Sequence, residues 1–167
     1  MTYQVTALVI LAFFYGCYFL KMLMQQRKGI RTDQIGQGKV GFVKFVEVTM
    51  KIATLLVPAA QVISILLNTT CFWAPFRICG AVIGALGATV FVTSVVTMRD
   101  SWRAGVSKTD KTELVTDGIY QISRNPAFLG FDLVYIGILL MFFNPWLLIA
   151  SVFAMLMFHL QIVNVEE

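Results

Sequence analysis

The strongest constraint on this chain is a recurring pattern. Runs of about 20 mostly apolar residues, each long enough to cross the hydrocarbon core of a bilayer as a helix, alternate with short polar stretches that hold most of the charge. The first run, about 3–23, has no charge before Lys21. It differs from a secretory signal, which has a shorter apolar core, basic residues in front and a small-residue cleavage site behind. The second, about 48–67, contains Pro58, where a kink is expected. The third, about 78–98, carries Gly80, Gly84 and Ala88 at four-residue steps, with Ala81 and Ala85 beside them. Small residues at that spacing let a neighbouring helix come close. The fourth, about 126–143, is apolar apart from Asp132, and the fifth, about 146–165, follows an Asn144-Pro145 turn. The expectation is an all-α integral membrane protein. It has one membrane domain over residues 1–167, five transmembrane helices, and a polar cytoplasmic loop between helices three and four.

Only 13% of the 167 residues are charged and 58% are hydrophobic, against about 25% and 45–50% in soluble domains. With a mean hydropathy of +0.79, that balance excludes an ordinary soluble enzyme, a disordered tail and a repeat solenoid. It also excludes a nucleic-acid partner, despite a pI near 9.1, and leaves membrane lipids as the surroundings. Cys17, Cys71 and Cys79 are too few and too apolar in context for a disulfide scaffold or a zinc site, and His159 is the single histidine. No metal is expected.

Of the 13 basic residues, all but Arg77 fall between Lys21 and Lys51 or between Arg99 and Arg124. The positive-inside rule puts both stretches in the cytoplasm, the N-terminus outside and the C-terminus inside. Gly29, Gly36, Gly38 and Gly41 mark the first stretch as a loop. At its end Glu47 lies three residues after Lys44 and four before Lys51, the spacing of a neutralised charge cluster at the membrane surface. Trp102 is expected as an interfacial anchor.

The segment richest in chemistry runs from Lys111 to Gly130, K-T-E-L-V-T-D-G-I-Y-Q-I-S-R-N-P-A-F-L-G. Leu114 and Val115 are apolar inside a polar loop and are expected to dip back toward the bundle. Gly118 permits a turn that a side chain would forbid. Asn125 followed by Pro126 reads as a helix start, with Asn as the cap and Pro at the first helical position. The free N–H groups of such a start attract anions, and Arg124 adds a full positive charge. A small carboxylate or phosphate fits there, and so does a lipid phosphate met by a snorkelling Arg124. Glu166 and Glu167 end the chain on the same side, and His159, seven residues before Glu166, shares its face to within about 20°. Asp132, almost two turns into span four, reads either as a partner for Arg124 or another loop cation, or as a purely structural group.

Four blocks now stand out: S-W-R-A-G from Ser101 to Gly105, L-V-T-D-G-I-Y from Leu114 to Tyr120, R-N-P-A-F-L-G from Arg124 to Gly130, and the terminal Glu166-Glu167. In this order they resemble the consecutive blocks of the isoprenylcysteine carboxyl methyltransferase family, which is related to the phospholipid N-methyltransferases. The resemblance covers Met98 to Glu167 and is compositional over the first two spans. It implies an integral membrane methyltransferase that uses S-adenosylmethionine, bound at the cytoplasmic end of the last two spans. It also implies a lipophilic small-molecule or lipidated acceptor, either a prenylcysteine-like carboxylate or a lipid amine. Carried over position by position, Leu114, Val115, Gly118, Tyr120, Arg124, Asn125 and Pro126 would line the donor pocket, and Glu166 and Glu167 would close it. The donor's carboxylate suits Arg124 and its ammonium suits a glutamate. No catalytic residue follows from the resemblance. A carboxylate acceptor is already ionised, whereas an amine must lose a proton, with Glu167 or His159 as first candidates to take it.

Three positions depart from the family: Asn125 where it commonly has His, Phe128 where it commonly has Tyr, and Thr112 or Glu113 where many members carry a further His. The family also continues past its acidic pair into an amphipathic helix that covers the site, so a shortened molecule is expected. Two other readings stay open. One is a membrane reductase of the sterol-reductase type, whose nicotinamide dinucleotide phosphate would want more Arg and Lys near the loop. The other is a non-catalytic helical scaffold that uses the glycine-alanine face of span three. Nothing in the sequence sets an oligomeric state.

Overall fold

The computed structural model describes residues 1–30, 32–35, 39–103 and 115–166, the side chains of 165 and 166 apart. Over these residues the chain forms five α-helices: α1 (Thr2–Arg27), α2 (Gly41–Leu67), α3 (Ala74–Met98), α4 (Pro126–Met141) and α5 (Pro145–Gln161). A 3-10 turn at Gly118–Gln121 precedes α4, and a π-turn at Ile162–Glu166 prolongs α5. Helix α2 runs on through Pro58 as one element. Four helices are long and apolar enough to cross a membrane: α1, α2, α3 with the turn that follows it, and α5 with its extension. The fourth expected span differs. Helix α4 stops at Met141 after 16 residues, about 24 Å of helix against a hydrocarbon core of about 30 Å.

The outward faces are apolar, as an integral membrane protein requires. Leu55, Leu66, Val82, Leu86 and Ile149 are all exposed. Several polar groups turn inward and find partners there, since an unpaired one in hydrocarbon is costly. Gln4 Nε2 donates to the Ile65 carbonyl (2.9 Å), and Tyr15 OH donates to Gln61 Oε1 (3.2 Å). Phe14, Phe91 and Phe131 form an aromatic centre between α1, α3 and α4.

Helices α3 and α4 pack closest, and glycine is the reason. A Cβ on Gly137 would lie 2.5 Å from Gly84 N and 2.7 Å from the Gly80 carbonyl, and one on Gly87 would lie 2.7 Å from Val134 N. The small-residue face expected on span three is thus used, and it meets a matching glycine face on α4, Gly130 and Gly137. In this structure that surface is filled from within the chain, which removes the feature that motivated a scaffold reading.

The polar ends of the helices gather at one end of the bundle. Lys28 pairs with Asp100, and Gln25 Nε2 donates to the Trp102 carbonyl (2.9 Å), so the stretch after α1 and the stretch after α3 share a side. Gln161 Nε2 donates to Glu47 Oε1 (3.2 Å), which brings the end of α5 to the same place. Two expectations are corrected here. Trp102 is buried against Tyr18 and Phe91 rather than lying at the interface, because its carbonyl bond to Gln25 draws it under the end of α1. Glu47 is fully buried and pairs with Lys39, while Lys51 pairs with Asp33. The helical neighbours Lys44 and Lys51 cannot follow Glu47 inward, so the preceding loop supplies its cation.

Candidate functional site

Of the residues singled out in the polar segment, Gly118 and Tyr120 lie against the end of α3, and Arg124 and Asn125 lie between the start of α4 and the end of α5. Gly118 has φ +59°, a left-handed conformation that costs glycine nothing. It opens the 3-10 turn and rests on Thr97 of α3. The turn is pinned by Tyr120, whose hydroxyl lies 2.7 Å from Ser94 Oγ, also on α3. Val115 is half-buried on the way in. Leu114 lies outside the described residues, as does Glu167, and of Glu166 only the backbone is described, at the end of the π-turn.

Asn125 and Pro126 do start α4, with Pro126 buried in the first turn. The expected side-chain cap is absent, however. Asn125 has ψ 63° and makes no capping hydrogen bond, whereas a capping residue normally sits in the extended region. The same dipeptide at the start of α5 behaves as the rule says. Asn144 is extended (ψ 158°), and its Oδ1 accepts from Leu147 N at 2.9 Å. At α4 the first-turn N–H groups therefore keep their attraction for an outside anion.

Beside that helix start is a cavity of about 260 Å³. It is widely open and is lined by Ser123, Arg124 and Asn125 before α4, by Phe128 and Asp132 on α4, and by Ile162 at the end of α5. Phe128 is stacked on Phe158 of α5, ring centroids 5.0 Å apart, which holds the two helices together under the cavity. Sequence reasoning did not find Phe128 or Ile162 as cavity walls. The signal for Ile162 was its place four residues before Glu166. His159 is exposed, and the side of α5 facing α4 carries Phe158 and Ile162 instead. The shared face expected for His159 and Glu166 assumed α-helical turns to the end of the chain, and the i→i+5 turns from Ile162 break that register. The Oδ1 of Asp132 is buried with no hydrogen-bond partner among the described residues, and the loop cations Lys108 and Lys111 lie outside them.

Residues 75–167, more than half of the chain, match the family model of phospholipid methyltransferases. The chain belongs to the phospholipid methyltransferase family. The matched region of this family member starts at α3 and takes in the turn, the cavity and the end of α5, so the glycine-packed α3–α4 pair and the cavity above it fall within the family's part of the chain. No curated protein and no solved structure matches the chain. Among the described residues there is no group of acidic, cysteine and histidine side chains that could hold a metal ion.

Proposed function

We propose that this family member is an integral membrane S-adenosylmethionine-dependent methyltransferase acting on a lipophilic acceptor. The donor's amino-acid end sits at the cavity beside α4. The observation that carries this reading is the convergence on one cavity of an arginine, an uncapped helix start and the end of α5. Arg124 and the first turn of α4 take the donor's carboxylate. Glu166, at the end of the π-turn that Ile162 opens, or Glu167 takes its ammonium. Val115, Gly118, Tyr120, Asn125 and Pro126 form the surrounding wall, with Tyr120 tied to Ser94 so that the turn is held on α3. The cavity is smaller than the roughly 300–1,000 Å³ of a site that encloses a whole ligand, which suits the holding of one end.

The donor supplies an electrophilic methyl group on a sulfonium. The protein's work is to align the acceptor with it and to keep water out. The acceptor, a prenylcysteine-like carboxylate or a lipid amine, enters from the bilayer, and the donor enters from the polar end. In this reading α4 is the fourth of five spans of a single membrane domain, the basic loops and the C-terminus face the cytoplasm, and the N-terminus lies outside. The test is transfer of labelled methyl from S-adenosylmethionine into the lipid-extractable fraction by the chain in proteoliposomes. Label appearing there supports the reading. No transfer, together with no binding of S-adenosylhomocysteine, sinks it.

A further inference from the structure

Glu47 is the one acid in α2 and is fully buried. Its Oε1 accepts from two sides, from Lys39 Nζ of the preceding loop and from Gln161 Nε2 at the end of α5 (3.2 Å). Gln161 is fully buried as well, and its Oε1 has no hydrogen-bond partner among the described residues. A half-satisfied amide is a poor choice for stability, because an apolar side chain of similar size would cost less there. What the amide supplies is direction: its bond fixes the height and rotation of α5 against α2. Helix α5 packs mainly on α2, with Ala154 and Phe158 among Met50, Ala53 and Val57, and far less on α4. The residue after Gln161 is Ile162, which lines the cavity and opens the π-turn to Glu166. That turn packs chiefly on α5 itself, with Asn164 Nδ2 donating to the Leu160 carbonyl (2.8 Å). Where the turn stands relative to Arg124 is therefore decided by α5, and where α5 stands is decided by α2.

Resting on the function proposed above, we infer that Glu47 and Gln161 are positioning residues of the donor site, through which α2 sets the reach from Arg124 to the C-terminal glutamates. Glu47 and its cation Lys39 both precede residues 75–167, the part matched to the family, so the first part of this chain completes a site that the matched part only lines. Neither residue touches the donor. Their effect is on spacing. The donor's carboxylate and ammonium share one carbon, so the groups that hold them must face each other across a fixed gap, and a misplacement of about 1 Å can cost up to about 100-fold. Lys39 neutralises Glu47, so the tie brings no net charge into the bundle. Ile35 of the same loop packs on the cluster that holds Phe158, the ring stacked on Phe128 of the cavity wall. The loop thus supports the end of α5 by an apolar contact as well as through Glu47.

The test is calorimetric titration of S-adenosylhomocysteine into the full chain in nanodiscs, with Gln161→Leu made in two backgrounds. Gln161→Leu removes the tie and leaves Lys39 on Glu47, so it strands no charge. In the wild-type background it is expected to weaken binding by about two- to thirtyfold, the range of couplings carried through intervening residues. In a Glu166→Gln/Glu167→Gln background the same change is expected to weaken binding less than twofold further, because the groups it positions are already gone. A merely structural role would give the same loss in both backgrounds, and that result overturns the inference. Unchanged affinity in a folded Gln161→Leu variant also overturns it and leaves the methyltransferase reading standing. Where Gln161→Leu does not fold, Gln161→Asn replaces it, keeping the amide but drawing it back out of reach of Glu47. Failure of both variants to fold overturns the inference by making the tie a requirement of the fold rather than of the site. Failure of the wild type to bind S-adenosylhomocysteine at all overturns both readings.

Discussion

Replacing Gly137 with alanine puts a methyl group where α3 leaves no room for one. The added Cβ would stand 2.5 Å from Gly84 N, 2.6 Å from Gly84 Cα and 2.7 Å from the Gly80 carbonyl, all of them backbone atoms. No rotamer change can relieve contacts of that kind. Ordinary contact begins near 3.4 Å, so the two helices must part by about 1 Å, and overpacking of this sort costs roughly 1–3 kcal/mol. At about 1.4 kcal/mol per factor of ten, the folded-to-unfolded ratio should fall by about five- to 140-fold. Gly16→Ala is the control, because nothing lies within 4 Å of its added methyl group. The assay is thermal unfolding in detergent, followed by size-exclusion fluorescence. Gly137→Ala should lower the midpoint by several degrees, and Gly16→Ala should leave it unchanged or raise it. Equal midpoints for the two variants would mean that α3 and α4 do not touch as described, and the placement of the cavity at their end would fall with that contact.

Three further outcomes follow from the same geometry. Lys39→Met strands the fully buried Glu47 (Lys39 and Glu47 side chains 3% and 0% exposed) and should cost about 3–5 kcal/mol. Lys28→Met breaks a pair that is 55% and 54% exposed and should cost less than about 1 kcal/mol; comparable losses in denaturant titrations would contradict the burial. Tyr120→Phe removes the 2.7 Å bond to Ser94, worth about 1 kcal/mol. It should weaken S-adenosylhomocysteine binding severalfold in calorimetry, and unchanged affinity would free the turn from any part in the site. Cysteines introduced at Asp110 and at the exposed Arg27 should react with an impermeant reagent from the same side of the membrane, and labelling from opposite sides would break the proposed topology.

Much of the fold was legible because bilayer length is a coarse and strong signal. Each of the five apolar runs contains a helix, four of them long enough to cross a membrane, with boundaries displaced where polar residues continue a helix past the apolar run, as at Gly41–Glu47. Helix α4 shows the limit. Phe142 and Phe143 are as apolar as what precedes them, yet the helix stops at Met141, a choice made by packing rather than by composition. The closeness of α3 and α4 was half-visible as glycines on one helix, and its partner glycines stood in plain sight at Gly130 and Gly137. The charge partners were not legible. Helical spacing offered Glu47 two lysines, but burial chose a third from the loop. The Asn-Pro dipeptide opens both α4 and α5, yet the cap expected at Asn125 is absent and the one at Asn144, read as a turn, is present, because capping depends on a ψ angle that sequence does not carry. Around the site, Arg124 and Asn125 line the cavity that sequence reasoning pointed to, whereas the hydrophobic walls, Phe128 and Ile162, come only from the fold.

The central claim is that Arg124 at the start of α4 anchors a methyl donor, and calorimetric titration of S-adenosylhomocysteine into the full chain in nanodiscs tests it most directly. Arg103 serves as the internal control, since its Nη1 donates to the backbone carbonyls of Asp100 and Trp102 (2.6 and 2.9 Å) and lies outside the cavity lining. A charge-assisted hydrogen bond is worth roughly 1.5–3 kcal/mol, so Arg124→Ala should weaken binding by about ten- to a hundredfold while Arg103→Ala changes it little. Micromolar binding by the wild type with that split is the predicted result. Equal losses for the two variants, or no binding by the wild type, would contradict the account.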